Sequence, residues 1–336
     1  MKKQTITIYD VAREAEVSMA TVSRVVNGNP NVKPATRKKV SEVIERLNYR
    51  PNAVARGLAS KRTTTVGVIL PSVTNLFFAA LARGIDDIAS MYKYNIILAN
   101  SDESQEKEVS VFNILLDNQV DGIIFMGQNV SEAMRKEIDR TSTPVVFAGT
   151  LIDNPEYYAV NIDHTVATKD ITKELLDHGR RVVLVTDAPE FLISQHRLAG
   201  FKAAYDEMGI EFDESLVIQQ ALKYTEAEKV LEELHNVKAD SVIVKDDTFA
   251  AALMNTAMDA GIKVPEDLEV ITSDNSIVTE IVRPKLTSIQ QPLYDIGAVA
   301  MRLLTKIMNN EEVDEKQVIL PYKIKHRGST IHTEDE

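Results

Sequence analysis

Residues 7–30 read TIYDVAREAEVSMATVSRVVNGNP, a stretch that predicts two short helices joined by a tight turn. Thr7 with Asp10 forms a variant of the capping box, which starts a first helix at about residues 8–15. Ser18 then caps a second helix. The apolar residues that recur at helical spacing in the two helices are Ile8, Val11, Ala12, Ala15, Val22, Val25 and Val26.

A third helix is predicted from Pro34, which suits the first position of a helix, to Asn48. Its buried stripe is apolar at the spacing of one helix face. Residues 1–49 therefore form a predicted helix-turn-helix DNA-binding domain. The residues of the stripe are Val40, Val43, Ile44 and Leu47.

The second helix of a helix-turn-helix enters the major groove of DNA, so its exposed side chains are the predicted readers of bases. Arg24 can form a bidentate pair with guanine, while Met19 and Ala20 can touch thymine methyl groups. Polar residues around this helix suit phosphate oxygens. The predicted contacts to the DNA backbone in this domain are Thr7, Ser18, Thr21, Ser23, Asn27, Asn31 and Tyr49.

The charges of the chain are divided unevenly, although the net charge is -12. Residues 1–62 hold 13 Lys and Arg against 5 Asp and Glu, a balance of +8, and the rest holds 25 against 45, a balance of -20. Clustered cations favour binding to a polyanion. A basic head on an acidic body indicates that the head alone meets nucleic acid.

Composition excludes several classes of protein. The 336 residues contain no cysteine, so disulfides and thiolate chemistry are excluded, and the six histidines show no metal-ligand spacing. We expect no cofactor and no metal. The start of the chain lacks the apolar run of a signal peptide, and no later run reaches the ~20 residues of a membrane span, which predicts a cytoplasmic protein. Motifs of hydrolases, kinases and zinc proteases are missing, so an enzyme is disfavoured.

From residue 65 onward, short apolar runs alternate with helical patterns, which predicts an α/β fold with parallel sheets in two doubly wound lobes. Ligands of such sheets lie beyond the carboxyl ends of the strands, so the cleft between the lobes is the expected site. The helices are predicted at about 77–91, 105–117, 131–139, 164–177, 197–208, 225–234 and 248–260. The predicted strands are TVGVILP, NIILANS, DGIIFMG, PVVFAGT, RVVLVTD, SVIVKDD and LEVITSD.

The stretch from residue 7 to residue 60 resembles the head of the LacI family of bacterial transcription regulators, and the similarity continues almost to the last residue. YRPNAVARGLASK at 49–61 and QPLYDIGAVAMRLLTK at 291–306 resemble one branch, the catabolite control regulators of Gram-positive bacteria. The resemblance implies a homodimer that binds a palindromic double-stranded operator and controls carbon catabolite repression or activation. The alternative is a repressor of a single sugar operon that a small sugar releases.

The resemblance also implies a periplasmic-binding-protein-like body in which the chain crosses between the lobes near Asn161, Gln290 and Leu320. The predicted domains follow from these crossings. They are 1–49 for the DNA-binding domain, 50–62 for a hinge helix and linker, 63–161 plus 291–320 for the N-terminal lobe, and 162–290 plus 321–336 for the C-terminal lobe.

The segment 50–62 is too short to be a stable helix alone, because isolated helices below ~12 to 15 residues are marginal in water. The resemblance implies that two copies pair in the minor groove, where Leu58 wedges between base pairs. Asn52 and Arg56 would hold the groove edges and backbone. The alternative is that Leu58 packs on its own body.

Five polar residues are candidates for binding an effector in the cleft. The resemblance implies that Arg197 and Asp274 bind the polar groups of a small effector, which suits sugar hydroxyls or a sugar phosphate. The alternative is that the strand-end residues are ordinary turn and cap formers. The five residues are Ser72, Asn75, Arg197, Asp246 and Asp274.

The branch resemblance implies a protein corepressor, the serine-phosphorylated phosphocarrier HPr, with sugar phosphates as helpers. Arg302 and Lys306 are four residues apart in YDIGAVAMRLLTK and share one helix face, so they can hold a phosphoserine. Tyr294 and Asp295 complete the predicted corepressor site. The alternative is that the two cations only solvate the exposed face and the helix C-terminus.

Overall fold

A computed structural model describes residues 6–50, 62–220 and 223–331 of the chain. The chain divides into two units, residues 1–63 and residues 64–336. No helix in the described ranges is long and apolar enough to cross a membrane. Those ranges also contain no group of three or more His, Cys, Asp and Glu that could hold a metal ion.

Within residues 6–50 the first unit contains three helices, α1 (Ile8–Glu14), α2 (Met19–Val26) and α3 (Pro34–Leu47), which confirms the predicted elements. The backbone N–H of Thr7 donates to the Asp10 carboxylate at 2.9 Å, as the capping box requires. The three helices enclose one apolar core, which consists of Val11, Ala12, Ala15, Val22, Val25, Val40 and Val43.

The first sheet of the second unit has six strands in the order β11-β5-β4-β3-β1-β2, and every neighbouring pair is parallel. Buried apolar residues fill β1, β3 and β4, as expected for strands covered on both faces. The strands are β1 (Thr65–Leu70), β2 (Asn95–Asn100), β3 (Gly122–Phe125), β4 (Val145–Ala148), β5 (Tyr158–Asn161) and β11 (Gln317–Ile319). The helices are α4 (Leu76–Met91), α5 (Gln105–Asp117), α6 (Glu132–Arg140) and α12 (Leu293–Met308).

The second sheet repeats this order as β12-β10-β9-β8-β6-β7, except that β12 runs antiparallel to β10. The two sheets confirm the predicted α/β fold with two lobes. The strands are β6 (Val182–Thr186), β7 (Val217–Gln219), β8 (Ser241–Val244), β9 (Glu269–Thr272), β10 (Thr287–Gln290) and β12 (Lys323–Lys325). The helices are α7 (His164–Asp177), α8 (Leu192–Met208), α9 (Ala227–Asn236), α10 (Asp247–Asp259) and the short α11 (Val278–Ile281).

The chain passes between the two sheets three times, after Asn161, after Gln290, and between Ile319 and Lys323. The strands β5, β7, β10, β11 and β12 were not predicted. Three of them, β7, β11 and β12, contain only three residues each and give little periodicity.

Helix α8 begins five residues earlier than the predicted start at residue 197. Its first turns bury Ser194, whose hydroxyl accepts a hydrogen bond from the Thr186 hydroxyl at 3.2 Å. A polar residue on the buried face hides the helical pattern of apolar residues. The site residue Arg197 is buried on the same helix.

Each lobe contains a pair of helices that cross at a glycine. A Cβ atom at Gly297 of α12 would lie 2.0 Å from the Leu81 carbonyl oxygen of α4, and one at Gly84 would lie 2.0 Å from the Tyr294 carbonyl oxygen. In the second lobe, a Cβ atom at Gly200 of α8 would lie 2.1 Å from the Thr165 carbonyl oxygen of α7. The close approach of both helix pairs requires glycine.

Candidate functional site

The outer face of α2 carries the predicted base-reading residues of the head. Met19, Ala20 and Arg24 are exposed, while Val22 and Val25 of the same helix are buried. Ser18 caps the helix by accepting the Thr21 N–H at 3.2 Å. Burial of the apolar side of α2 fixes the orientation of the helix. The three side chains on its outer face therefore remain available to a ligand.

The cations of the head differ in how they are neutralised. Lys39 pairs with Glu16 at 2.8 Å, and Arg46 pairs with Glu14 at 2.6 Å. Within residues 6–50, Arg24 makes no ion pair with an acidic side chain. The Arg24 guanidinium, on the outer face of α2, is therefore available to bind an external anion or hydrogen-bond acceptor.

Several predicted backbone contacts also bond within the head. The Thr7 hydroxyl donates to Asp10 at 2.7 Å, and the Asn27 side-chain amide donates to the Ser23 hydroxyl at 3.4 Å. The Ser18 and Thr21 hydroxyls lie 2.9 Å apart, Asn31 is exposed and Tyr49 is partly buried. Leu58, Asn52 and Arg56 lie outside the described residues.

The second candidate site is the cleft between the lobes of the second unit. Its first-lobe wall is neutral, with Asn75, Gln128 and two phenylalanines, and its second-lobe wall is charged. Four of the five predicted effector residues line this cleft. The lining residues are Asn75, Phe77, Phe78, Gly127, Gln128, Gly149, Leu151, Asp187, Ile193, Arg197, Lys245, Asp246, Asp274 and Gln291.

Ser72 is the predicted effector residue that does not line the cleft. Its hydroxyl lies 2.9 Å from the Thr74 hydroxyl in the turn that precedes α4. This contact closes a local turn, and a role of Ser72 in effector binding stays a prediction.

Arg197 is 5% exposed, and its guanidinium makes no hydrogen bond or ion pair with a described residue. A buried guanidinium without hydrogen-bond partners is costly unless a ligand or water satisfies it. Since Arg197 lines the cleft, its donors are available to a molecule there. The positive charge of Arg197 acts on Asp274 and on His164, which is buried at the start of α7.

Two carboxyl groups of the cleft have raised pKa values. Burial raises the pKa of Asp274 well above its usual value, the charge of Asp247 adds to the rise, and Arg197 opposes it. Burial also raises the pKa of Asp246, while the hydrogen bond that its carboxylate accepts from the Phe249 N–H opposes the rise. That bond, at 2.8 Å, makes Asp246 the N-cap of α10.

Sequence reasoning missed the second cation of the cleft and its partner. The Lys245 ammonium lies 2.5 Å from an Asp187 carboxylate oxygen and 3.9 Å from an Asp246 oxygen. Asp187 follows β6 and Lys245 follows β8, which are neighbouring parallel strands. The available signal was that both residues lie near the carboxyl ends of predicted strands, RVVLVTD and SVIVKDD.

The outer face of α12 carries the predicted corepressor residues. Tyr294, Asp295, Arg302 and Lys306 are all exposed. The Tyr294 hydroxyl donates a hydrogen bond to the Asp87 carboxylate at 3.2 Å. The Arg83 guanidinium donates to the same carboxylate at 3.3 Å. Among the residues that the structure describes, neither Arg302 nor Lys306 has an acidic partner.

The comparisons with known proteins agree with this geometry. Residues 7–52 match the model of the bacterial regulatory proteins of the lacI family, and residues 172–330 match a periplasmic binding protein-like domain. Catabolite control protein A of Streptococcus mutans is 54% identical over 327 residues, which are 97% of this chain and 98% of that protein. The chain belongs to the LacI family of bacterial regulatory proteins. Its predicted resemblance to the catabolite control branch is confirmed.

Other relatives of this LacI-family regulator support the same assignment. Catabolite control protein A of Staphylococcus aureus is 51% identical over 97% of this chain and 99% of its own. The crystal structure of the transcription regulator CcpA of Lactococcus lactis is 46% identical, with a TM-score of 0.78 over 80% of this chain and all 100% of that chain. The lac repressor dimer bound to operator shares the fold at 24% identity, with a TM-score of 0.87, over 98% of this chain and 100% of its own.

This LacI-family protein is therefore a DNA-binding transcription regulator of catabolite control. Regulators of its family bind operator DNA as dimers. Its close relatives are regulators, which confirms the choice of a regulator over an enzyme.

Proposed function

We propose that serine-phosphorylated HPr acts as the corepressor of this regulator and docks on the outer face of α12. The observation that carries the proposal is the pair of cations at Arg302 and Lys306, one helical turn apart and without acidic partners among the described residues. Charge-assisted hydrogen bonds from these cations to a dianionic phosphoserine are stronger than those between neutral groups. The pair therefore favours the phosphorylated form of HPr.

A second pair of cations in the molecule shows what a purely structural role looks like. Lys169 and Lys173 are also four residues apart, on α7, but both contact Glu207 of α8, at 3.2 and 2.5 Å. Their charges are therefore compensated within the protein, whereas the cations on α12 have no acidic partner in the part of the chain that the structure describes. This contrast favours a partner for α12 over simple solvation of its C-terminus.

Asp295 lies seven residues before Arg302, so both are on the same side of α12 and are separated by about 10 Å along its axis. A partner that spans two turns would meet the anionic Asp295 at one end and the cations at the other. A phosphoserine with a cationic residue about 10 Å away would complement this face of the helix.

The test is operator affinity with phosphorylated and unphosphorylated HPr. We expect phosphorylated HPr to increase affinity about 10-fold or more, since couplings of 1 to 3 kcal/mol are typical. Arg302→Ala removes most of this increase, and the matched variant Lys173→Ala keeps it. Equal enhancement by both forms of HPr, or full enhancement in Arg302→Ala, would contradict the proposal.

For DNA recognition we propose that α2 reads bases through Met19, Ala20 and Arg24, and that residues 50–62, with Leu58, meet the centre of the operator. Arg24 supports this assignment, because it is exposed and has no acidic partner within residues 6–50. Arg24→Ala should relax preference at one base pair by ~1 to 3 kcal/mol. An exposed control is Arg13→Ala, whose side chain pairs with Asp10 at 2.9 Å and should leave base preference unchanged.

We also propose a small effector in the cleft, either a sugar phosphate that assists the corepressor or a neutral sugar that gates a single operon. Arg197 supports an effector of either kind, because its buried donors face the cleft without a hydrogen-bond partner in the described chain. A relative in the family, the regulator CelR, was solved as a cellobiose complex at 27% identity. Operator affinity titrated with neutral sugars and with their phosphates distinguishes the two roles.

A further inference from the structure

The chain has no cysteine, so its sulfur chemistry belongs to its 10 methionines. Reaction of a methionine with a dissolved oxidant requires that the oxidant can reach the sulfur. The completely buried methionines of the described chain are Met126, Met134, Met254 and Met301. The exposed ones are Met19, Met91 and Met258, which are 41%, 60% and 43% exposed.

Met19 differs from the other exposed methionines because it lies on the DNA-binding head. It is the first residue of α2, and Ala20 and Arg24 are exposed with it on the outer face of that helix. The buried core of the head consists of valine and alanine side chains and does not include Met19. A chemical change at Met19 therefore alters the surface that meets DNA and leaves the core of the head intact.

The Met19 side chain suits a base edge only while its sulfur is a thioether. The methyl and methylene groups around the sulfur are apolar and match a thymine methyl group. Methionine sulfoxide carries a polar S–O group in the same place. Against a thymine methyl group, that oxygen would lose its water without gaining a hydrogen-bond donor, which weakens binding.

We propose that Met19 is an oxidation-sensitive modification site, and that conversion of its thioether to the sulfoxide by a hydroperoxide lowers the affinity of the regulator for operator DNA. A lone pair of the sulfur attacks one peroxide oxygen, so the S–O bond forms while the O–O bond breaks. The sulfur is oxidised by two electrons, and hydrogen peroxide is reduced to water after a proton moves to the departing oxygen. The inference rests on the proposed reading of bases by α2 and adds a chemical signal that acts on this helix.

Operator DNA and the oxidant compete for the same side chain. A base edge in contact with Met19 excludes water and peroxide from the sulfur, so we expect the operator to slow oxidation of Met19. Met91 at the end of α4 and Met258 on α10 belong to the other unit of the chain. We expect their oxidation rates to be the same with and without operator.

The experiment treats the full-length regulator with hydrogen peroxide, locates sulfoxides by peptide mass spectrometry and measures operator affinity at one salt concentration. We expect the oxidised parent to bind operator about 10-fold more weakly or worse. Methionine sulfoxide reductases A and B, added together, should restore the affinity. Met19→Leu keeps an apolar side chain of similar volume and should stay within about 3-fold of the untreated parent before and after peroxide.

Met258→Leu is the matched control, because it removes a methionine whose exposure is close to that of Met19. We expect this variant to lose as much operator affinity on oxidation as the parent does. Three results would overturn the inference. They are normal operator binding by a parent that carries the sulfoxide at Met19, an equal loss of affinity in oxidised Met19→Leu, and a rate of Met19 oxidation that saturating operator does not change.

Untreated Met19→Ala separates this inference from the proposed reading of bases. If the variant binds operator as tightly as the parent, both the base contact of Met19 and the oxidation site are wrong. If it binds more weakly while the oxidised parent binds normally, only the oxidation site is wrong. Thermal melting of each variant shows that it is folded, and we expect unchanged melting because Met19 lies outside the buried core of the head.

Discussion

The two lobes of the body share one strand order but differ in where their charges lie. Each lobe has a six-stranded sheet, and each has a helix pair that crosses at glycine, α4 with α12 and α7 with α8. In the first lobe the cations of α12 have no acidic partner among the described residues, and the cleft wall is neutral. In the second lobe the cations of α7 are paired with Glu207 and the cleft wall is charged.

This difference shows that a repeated fold does not repeat a function. Strand order and helix crossings are fixed by apolar packing, which is similar in both lobes. The charged side chains lie outside that packing, so they can differ without a change in fold. We infer that the first lobe binds a protein through α12 and the second lobe selects the small ligand.

The largest expected effect tests whether the helix crossings are equivalent. In Gly297→Ala the new Cβ atom would lie 2.0 Å from a backbone oxygen, and in Gly200→Ala it would lie 2.1 Å from one, so neither contact can be relieved by a side-chain movement. We expect each variant to lose about 3 kcal/mol or more of stability. Thermal and denaturant melting of both variants measures the loss.

Gly209→Ala is the control for the glycine variants. Gly209 has a φ of +66°, but no atom lies within 4 Å of its added Cβ. The strain of the left-handed backbone alone costs about 1 kcal/mol. Losses of this size in Gly297→Ala or Gly200→Ala would mean that the crossing in that lobe can open.

The second prediction concerns a carboxyl group in the core of the first lobe. Glu108 is buried on α5 in line with Phe112 and Leu115, and burial raises its pKa to about 7. The folded state therefore holds a proton that the unfolded state releases near 4.5, so stability is lost as pH rises from about 4.5 through 7. Glu108→Gln should be more stable than the parent by about 3 kcal/mol at pH 8.

The gain of Glu108→Gln should nearly vanish at pH 4.5, where the folded-state carboxyl group is protonated. Glu106→Gln, on the exposed side of the same helix, should show no such pH dependence. Urea unfolding at several pH values provides the measurement. A constant difference between parent and Glu108→Gln at all pH values would contradict the prediction.

The third prediction concerns the second lobe, where the buried titratable group acts in the opposite direction. Burial lowers the pKa of His164 from 6.5 to about 3, and the charges of Arg197 and His196 add to the effect. The unfolded state takes up a proton first as pH falls below 6.5, so the contribution of His164 to stability is about 2 kcal/mol lower at pH 5 than above pH 7. The change in unfolding free energy over this pH range should therefore differ between the parent and His164→Gln by about that amount.

His178→Gln, at the exposed C-terminal end of the same helix, is the control and should keep the slope of the parent. The comparison uses the change in unfolding free energy between pH 7.5 and pH 5, so that a constant loss from the buried glutamine cancels. If the unfolding free energies of the parent and of His164→Gln changed equally with pH, the prediction would be wrong.

The smallest expected effect tests the compensated cations of α7. Glu207→Ala leaves Lys169 and Lys173 without their carboxylate, but exposed ion pairs contribute little to stability. We expect the melting temperature to change by no more than about 2 °C. If phosphorylated HPr bound this variant more tightly than the parent, any cation pair without an acidic partner would suffice for docking. That result would contradict the assignment of the docking site to α12.

Much of the fold could be predicted from the sequence, because local patterns carry it. Caps such as Ser18, the start at Pro34 and the apolar runs of the central strands identify their elements without tertiary information. The short strands β7 and β12 could not be predicted, since three residues are held by their neighbours and not by their own pattern.

The candidate sites were only partly predictable for a related reason. The outer face of α2 follows from one helix, because its buried and exposed sides alternate with a fixed period. The cleft is formed by residues that are distant in sequence, and a strand-end serine such as Ser72 resembles a ligand residue although it closes a turn. Periodicity could not separate these two roles.

The sequence by itself determined the class of protein: a basic helix-turn-helix head, a two-lobed α/β body and membership of the LacI family. Only the tertiary structure decided which charges are available to partners. Lys245 is neutralised by Asp187, 58 residues away, whereas Arg302 has no acidic partner in the described chain. The physical reason is that the availability of a charge depends on its neighbours in space, and the fold sets those neighbours.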